Sequence, residues 1–126
     1  MPLTNVGRNL IAAAIIGDAY TTFSNANAHI GVGDGDTAFA VTQTDLQGAN
    51  KFRQPMEAAF PTRDVNMLSF KAIMGPDDAN FAWQEWAIFN ADAAGDMINR
   101  LVEYNGTKIS GQTWIFECEL IINIGS

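Results

Sequence analysis

Apolar and polar residues alternate with a period of two through much of the chain after Asn50. This spacing is typical of β-strands, because successive side chains point to opposite faces of a sheet. Turns rich in Gly, Asn, Asp and Pro separate the alternating runs, as in antiparallel sandwiches and partly closed barrels. A shorter strand is predicted before this region. The predicted strands are 28–32, 52–60, 68–74, 81–89, 96–104 and 112–124.

Pro55 lies inside the second of these runs. Proline has no backbone N–H to donate to a neighbouring strand. We therefore expect this strand to lie at the edge of a sheet or to contain a bulge.

The amino-terminal segment, residues 4–16, lacks the alternation and predicts one short helix. Thr4 or Asn5 can cap its start, and Gly17 is suited to end it. We expect this helix to pack against a sheet or to act as an arm that reaches a neighbouring subunit. The residues of the arm that we expect to make such contacts are Arg8, Leu10, Ile11 and Ile15.

Two of the predicted strands carry apolar residues on both faces. In 81–89 we assign Trp83 and Phe89 to the core face, which leaves Trp86 and Ile88 opposite. In 112–124 the alternation assigns Trp114, Phe116, Cys118, Leu120, Ile122 and Ile124 to the core face and leaves Ile115 and Ile121 on the other. The residues opposite the core are either covered by the helix or a loop, or they form a subunit interface, where aromatic residues are enriched. We expect Trp83, Trp86 and Phe89 to be packing anchors of the core and of an interface.

Composition supports one folded domain that meets a protein partner. The chain has 126 residues, of which 48% are hydrophobic and 17% charged, with a net charge of -7. This length suits a single domain. Scattered basic residues in an acidic chain argue against a nucleic-acid surface, which needs clustered Lys and Arg. The low charged fraction is consistent with a surface covered by a partner. The sequence indicates no signal peptide and no membrane partner.

Groups that could carry chemistry are few. His29 is the single histidine and lies in a strand context, which favours a structural role. Cys118 is the single cysteine, and its position in an apolar alternation predicts a buried, inert thiol. Asp34 and Asp36 lie in a Gly-Asp-Gly-Asp turn that could hold Ca²⁺, although a plain turn is the simpler interpretation. We therefore predict no enzyme, no cofactor and no metal.

Three stretches of the chain resemble small virion structural proteins of tailed bacteriophages. They are residues 5–12, residues 29–39 with 44–48, and residues 81–90 with 97–100. A GxGDG turn followed by an EWxIFN strand and a GxMxNR hairpin is also similar to the β-domains of tail-fibre and tail-collar proteins. The resemblance spans nearly the whole chain and implies no catalytic residue.

A free-standing β-domain of this size resembles capsid cement, or decoration, proteins. The resemblance implies a jelly-roll-like antiparallel β-sandwich, a homotrimer, and binding to the major capsid protein on the capsid exterior after assembly in the host cytoplasm. An alternative hypothesis is a tail-associated adaptor or short tail-fibre subunit. A third, from another class, is a carbohydrate- or calcium-binding module that uses Asp34, Asp36 and exposed tryptophans.

Overall fold

The chain folds into two antiparallel β-sheets and one short helix. A computed structural model describes residues 2–123. One sheet has the strand order β2-β1-β5-β6 and the other the order β3-β4-β7. The mainly β class is confirmed and the two sheets are consistent with a sandwich, whereas this strand order does not confirm a jelly roll. The elements are α1 (Asn5–Ile16), β1 (His29–Gly33), β2 (Lys51–Pro55), β3 (Thr62–Asp64), β4 (Met67–Met74), β5 (Glu85–Phe89), β6 (Leu101–Val102) and β7 (Trp114–Ile121).

Helix α1 begins and ends where the sequence predicts. The Thr4 side chain accepts a hydrogen bond from the Gly7 N–H, and Gly17 adopts the left-handed conformation with φ of 80°. Gly7 alone is buried within α1, because the helix lies at the periphery against the backbone of Ile98. No helix within residues 2–123 has the length and apolarity needed to cross a membrane.

The main core lies between the two sheets. Ile30 and Ile88 from the four-stranded sheet and Phe70 and Leu120 from the three-stranded sheet are among its fully buried members. Trp86 also belongs to this core, so our assignment of the faces of β5 was wrong.

The opposite face of β5 forms a second, smaller cluster. Phe89 and Ala87 pack there with Leu46 and Met97. Leu46 belongs to residues 34–50, hereafter the 34–50 loop, which covers this face of the sheet. Both faces of β5 are therefore buried, and of our two explanations for its apolar residues, cover by a loop applies here.

Four strands are shorter than the alternation predicts. Strand β2 ends at Pro55 because the chain then crosses to the other sheet, where the Glu57 N–H donates to the Lys71 carbonyl. Strand β6 contains Leu101–Val102 only, since the Asn99 side chain replaces the backbone as acceptor for the Ile88 N–H. Strand β5 begins at Glu85 rather than at residue 81.

Strand β7 begins at Trp114 and ends at Ile121. The assignment of Ile122 to the core face was wrong, since this residue follows the strand and is 40% exposed. Ile124, predicted on the same face, lies outside the described residues.

Pro55 lies on an edge strand, as predicted, because β2 is the outer strand of its sheet. The Asp34 N–H donates to the Asn50 carbonyl, which marks the 34/50 pair as hydrogen-bonded in the β1–β2 ladder. Hydrogen-bonded and non-bonded pairs alternate along an antiparallel ladder. The nitrogen of Pro55 therefore points away from β1. The missing N–H of proline removes no hydrogen bond between β1 and β2.

Candidate assembly surface

A fully buried ion pair joins the 34–50 loop to the four-stranded sheet. Arg100 Nε donates to Glu85 Oε1 over 2.7 Å, and both side chains are completely shielded from water. The Glu85 carboxylate also accepts hydrogen bonds from the backbone N–H groups of Gly35, Gln47 and Gly48. Arg100 Nη1 donates to Gln43 Oε1. One carboxylate thus fastens both ends of the loop.

This pair was missed by the sequence analysis, although a signal exists. Glu85 and Arg100 each interrupt an apolar run, and a charge at such a position is either exposed or paired. Arg100 Nη2 has no hydrogen-bond partner among the described residues. Because neither side chain reaches the solvent, the pair holds the loop in place and offers no surface to a substrate.

The Asp34 turn is held by internal hydrogen bonds. The Asp34 carboxylate accepts from both the backbone N–H and the side-chain amide of Asn50. These bonds lower the pKa of Asp34 below its usual value of 3.8. No group of three or more His, Cys, Asp or Glu side chains within residues 2–123 is placed to hold a metal ion. The absence of a bound metal stays a prediction from the sequence.

His29 and Cys118 both take part in packing. His29 is buried, and its Nδ1 lies 2.8 Å from the Asn27 carbonyl oxygen. Burial, with smaller contributions from Glu117 and Glu119, raises the pKa of Cys118 to about 12. A thiol with this pKa is protonated at neutral pH, which makes it a poor nucleophile.

The three-stranded sheet leaves its outer face exposed. Strand β7 alternates between inward and outward residues, and Ile115 and Ile121 on the outward side are 63% and 48% exposed. Glu117 and Glu119 lie between them on the same side. We call these four outward side chains the β7 face. Ile115 and Ile121 therefore lie opposite the core, as the alternation predicts, and their place in an interface stays a prediction.

Strand β7 is also an edge strand, at the end of the order β3-β4-β7. The Ile122 N–H donates to the Asn66 carbonyl, so the 66/122 pair is hydrogen-bonded in the register of this ladder. By alternation, the backbone N–H and C=O groups of Ile115, Glu117, Glu119 and Ile121 point away from β4. We call these outward backbone groups the β7 edge. No other strand among the described residues pairs with it.

A surface pocket of about 360 Å³ lies at the Ile115 end of β7. Trp83 and Trp114 meet edge to face there, with ring centroids 4.9 Å apart. Trp83 is buried beneath the pocket, and its Nε1 donates to the Ala79 carbonyl. The residues that line the pocket are Trp83, Asn105, Thr113, Trp114, Ile115 and Phe116.

A surface depression lies between the other end of β7 and the start of α1. Arg8 and Ile121 line this depression of about 500 Å³. Further along the helix, Ile15 is 77% exposed, whereas Leu10 and Ile11 are half-buried. The structure thus brings Arg8 of the predicted arm next to the β7 face. Ile15, near the far end of the helix, is not among the residues that line this depression.

The aromatic residues that we expected at an interface lie inside the subunit. Trp83, Trp86 and Phe89 are all buried within the described chain. They pack the two cores, so they are not available for direct contact with a neighbour. Trp114 is half-buried, and the hypothesis of a carbohydrate site on exposed tryptophans loses that support.

Comparisons with protein-family models, with curated proteins and with solved structures found no match to this chain.

Proposed function

We propose that this protein is a structural subunit of a bacteriophage particle, held in the assembly through the β7 face and the β7 edge. One observation carries the proposal. An eight-residue edge strand presents exposed isoleucines beside unpaired backbone groups. Proteins that act alone usually shorten or cover such a long edge, and the two glutamates of β7 protect only its middle. The simplest explanation for this long exposed edge is a partner that covers it in the assembly.

Within the particle, we propose a capsid cement protein on the outside of the shell. The motif resemblance supports this location, and the acidic net charge of -7 suits a basic patch on the major capsid protein. Burying apolar surface contributes roughly 25 cal/mol per Å² before ordering costs. A homotrimer would present three such surfaces at once and gain affinity through multivalency.

A binding assay with particles that lack the protein tests this role. The Ile115→Ser/Ile121→Ser double variant should bind fewer copies per particle, because it removes the exposed apolar side chains of the β7 face. Particles decorated with the unaltered protein should also break at a higher temperature than undecorated ones. Val65→Ser/Ile109→Ser is the matched control, since both side chains are exposed and lie outside β7.

The copy number separates the shell from the tail alternative. Labelled protein should cover the whole shell in electron micrographs of intact particles. A signal confined to one vertex would instead support a tail-associated adaptor. Equal stability of particles with and without the protein would contradict the cement role.

A further inference from the structure

We propose that the β7 edge takes up an extended segment of another protein, which carries Lys or Arg at alternate positions and an apolar side chain near Ile115. This inference rests on the proposed function and specifies how the partner binds and what chemistry it has. Backbone pairing at the β7 edge gives the affinity, and the side chains of the β7 face give the specificity, as in other cases of strand addition.

The backbone geometry provides the first argument. The outward N–H and C=O groups recur at every second residue from Ile115 to Ile121, which is the repeat of an antiparallel ladder. The element contacts join β7 to β4 and include none between β7 and the four-stranded sheet among the described residues. No helix or strand in the described part of the chain therefore occupies the outer side of this edge.

Charge defines the partner. Glu117 and Glu119 are two residues apart, exposed, and on the same face. No ion pair joins either carboxylate to a cation in the described part of the chain. In the β4–β7 ladder, however, Lys71 lies directly opposite Glu117, whereas Glu119 lies opposite Ser69. Directly opposite residues of neighbouring strands interact, and opposite charges there are stabilising. A docked strand with basic residues at alternate positions would place one opposite each glutamate.

The aromatic pocket fixes the position along the edge. It lies beside Ile115 and Phe116, at the start of β7. An antiparallel segment that places basic residues opposite Glu119 and Glu117 then brings its next residue opposite Phe116, on the pocket side. An apolar side chain there would fill the pocket. From its amino-terminal end, the segment therefore has a basic residue, then any residue, then a second basic residue, and then an apolar residue.

A second copy of β7 is a poor occupant of the same edge. Two antiparallel copies can pair so that Cys118 lies opposite Cys118 and the β7 faces stay on the same side. Glu117 of one copy then lies opposite Glu119 of the other. If the pairing is instead centred on Glu117 or on Glu119, that glutamate lies opposite the same glutamate of the other copy. Like charges directly opposite each other are destabilising. The two glutamates therefore disfavour a β7–β7 dimer and favour a basic partner.

Selection from a library of random octapeptides tests the proposal with the intact protein as target. We expect enrichment of peptides with Lys or Arg at alternate positions followed by an apolar residue. The Glu117→Lys/Glu119→Lys variant should select acidic residues at those positions. Enrichment of peptides without alternating basic residues, or of none, would overturn the proposal.

The role of the backbone is tested separately. Glu119→Pro removes an outward N–H without breaking a β4–β7 bond, and should weaken a selected peptide at least about tenfold. Glu119→Gln is the matched control, which loses the charge but keeps the donor. If the proline variant does not fold, N-methylation of the peptide serves instead. Methyl groups on the peptide amides that face β7 should abolish binding. Methyl groups on the intervening amides, which face away from β7, should not.

Particle binding distinguishes the two proposals. If Ile115→Ser/Ile121→Ser lowers particle binding but Glu119→Pro and Glu117→Lys/Glu119→Lys do not, strand addition is wrong and the assembly role stands. If none of these variants changes particle binding, the assembly role of the β7 face is itself wrong.

Discussion

At the scale of single residues, the Glu85 side chain has four polar partners within residues 2–123. Its carboxylate joins one guanidinium and three backbone N–H groups of the 34–50 loop in a site without water access. Removing one member of a buried pair leaves the other charge unpaired in a low-dielectric interior. The loop covers Phe89 and Ala87, so loss of the carboxylate also loosens the second core.

We expect Glu85→Ala to lower the free energy of unfolding by roughly 3–5 kcal/mol, measured by urea denaturation. The control is Lys51→Ala, which breaks the exposed pair with Asp45 and should cost about 0–1 kcal/mol. A loss below about 1 kcal/mol for Glu85→Ala would show that the buried pair does not hold the loop.

The Asp34 carboxylate predicts a pH dependence. Its hydrogen bonds to Asn50 lower its folded-state pKa below 3.8. Its contribution to stability is therefore present above pH 3.8 and lost as the pH falls through the folded-state pKa. The difference in unfolding free energy between the wild type and Asp34→Asn should be larger at pH 6 than at pH 3. Asp36→Asn, at an exposed position in the same turn, is the control. A difference that does not change with pH would contradict the assignment.

At the scale of elements, the attachment of α1 depends on one close approach. A Cβ on Gly7 would overlap the carbonyl oxygen of Ile98. The helix is also tied there by the Thr4 N–H, which donates to the same carbonyl over 3.0 Å. Glycine is therefore required at this position for packing, although it weakens the helix itself.

Gly7→Ala should consequently destabilise the protein. Inside most helices the same change stabilises the folded state by up to about 1 kcal/mol. Asn9→Ala, at an exposed position of α1, should be neutral or slightly stabilising. Thermal unfolding followed by circular dichroism measures both. If Gly7→Ala raised the melting temperature, α1 would not pack against Ile98 as described.

The elements differ in how well the sequence predicts them. Helix α1 and strand β4 match the predicted boundaries closely, because capping residues and an uninterrupted alternation define them locally. Strands β2 and β6 do not, since a crossover to the other sheet ends β2 and the Asn99 side chain replaces a ladder bond beside β6. These causes involve residues distant in sequence.

At the scale of the whole molecule, the two sheets differ in how their outer faces are covered. The 34–50 loop covers the four-stranded sheet, whereas the outward side chains of the edge strand β7 in the three-stranded sheet are exposed. The exposed side chains of β7 include two glutamates that oppose pairing with an identical edge. This arrangement keeps the edge accessible to another partner while it limits self-association.

Glu117→Thr/Glu119→Thr should therefore increase self-association, because it removes the like charges and leaves a strand-forming sequence on an open edge. Sedimentation velocity over a range of protein concentrations measures the effect. Glu57→Thr/Glu103→Thr removes the same charge outside β7 and should leave the oligomeric state unchanged. Equal behaviour of the two double variants would show that net charge, not the edge, controls association.

The sequence alone determined the β class, the capped helix and the inward and outward sides of β7, because periodicity and caps act over a few residues. Tertiary structure decided which face of β5 joins the main core, since that depends on where the 34–50 loop folds back. It also decided that Glu85 meets Arg100 and that β7 ends its sheet. Strand order and buried pairing are long-range properties, and the local pattern of residues does not encode them.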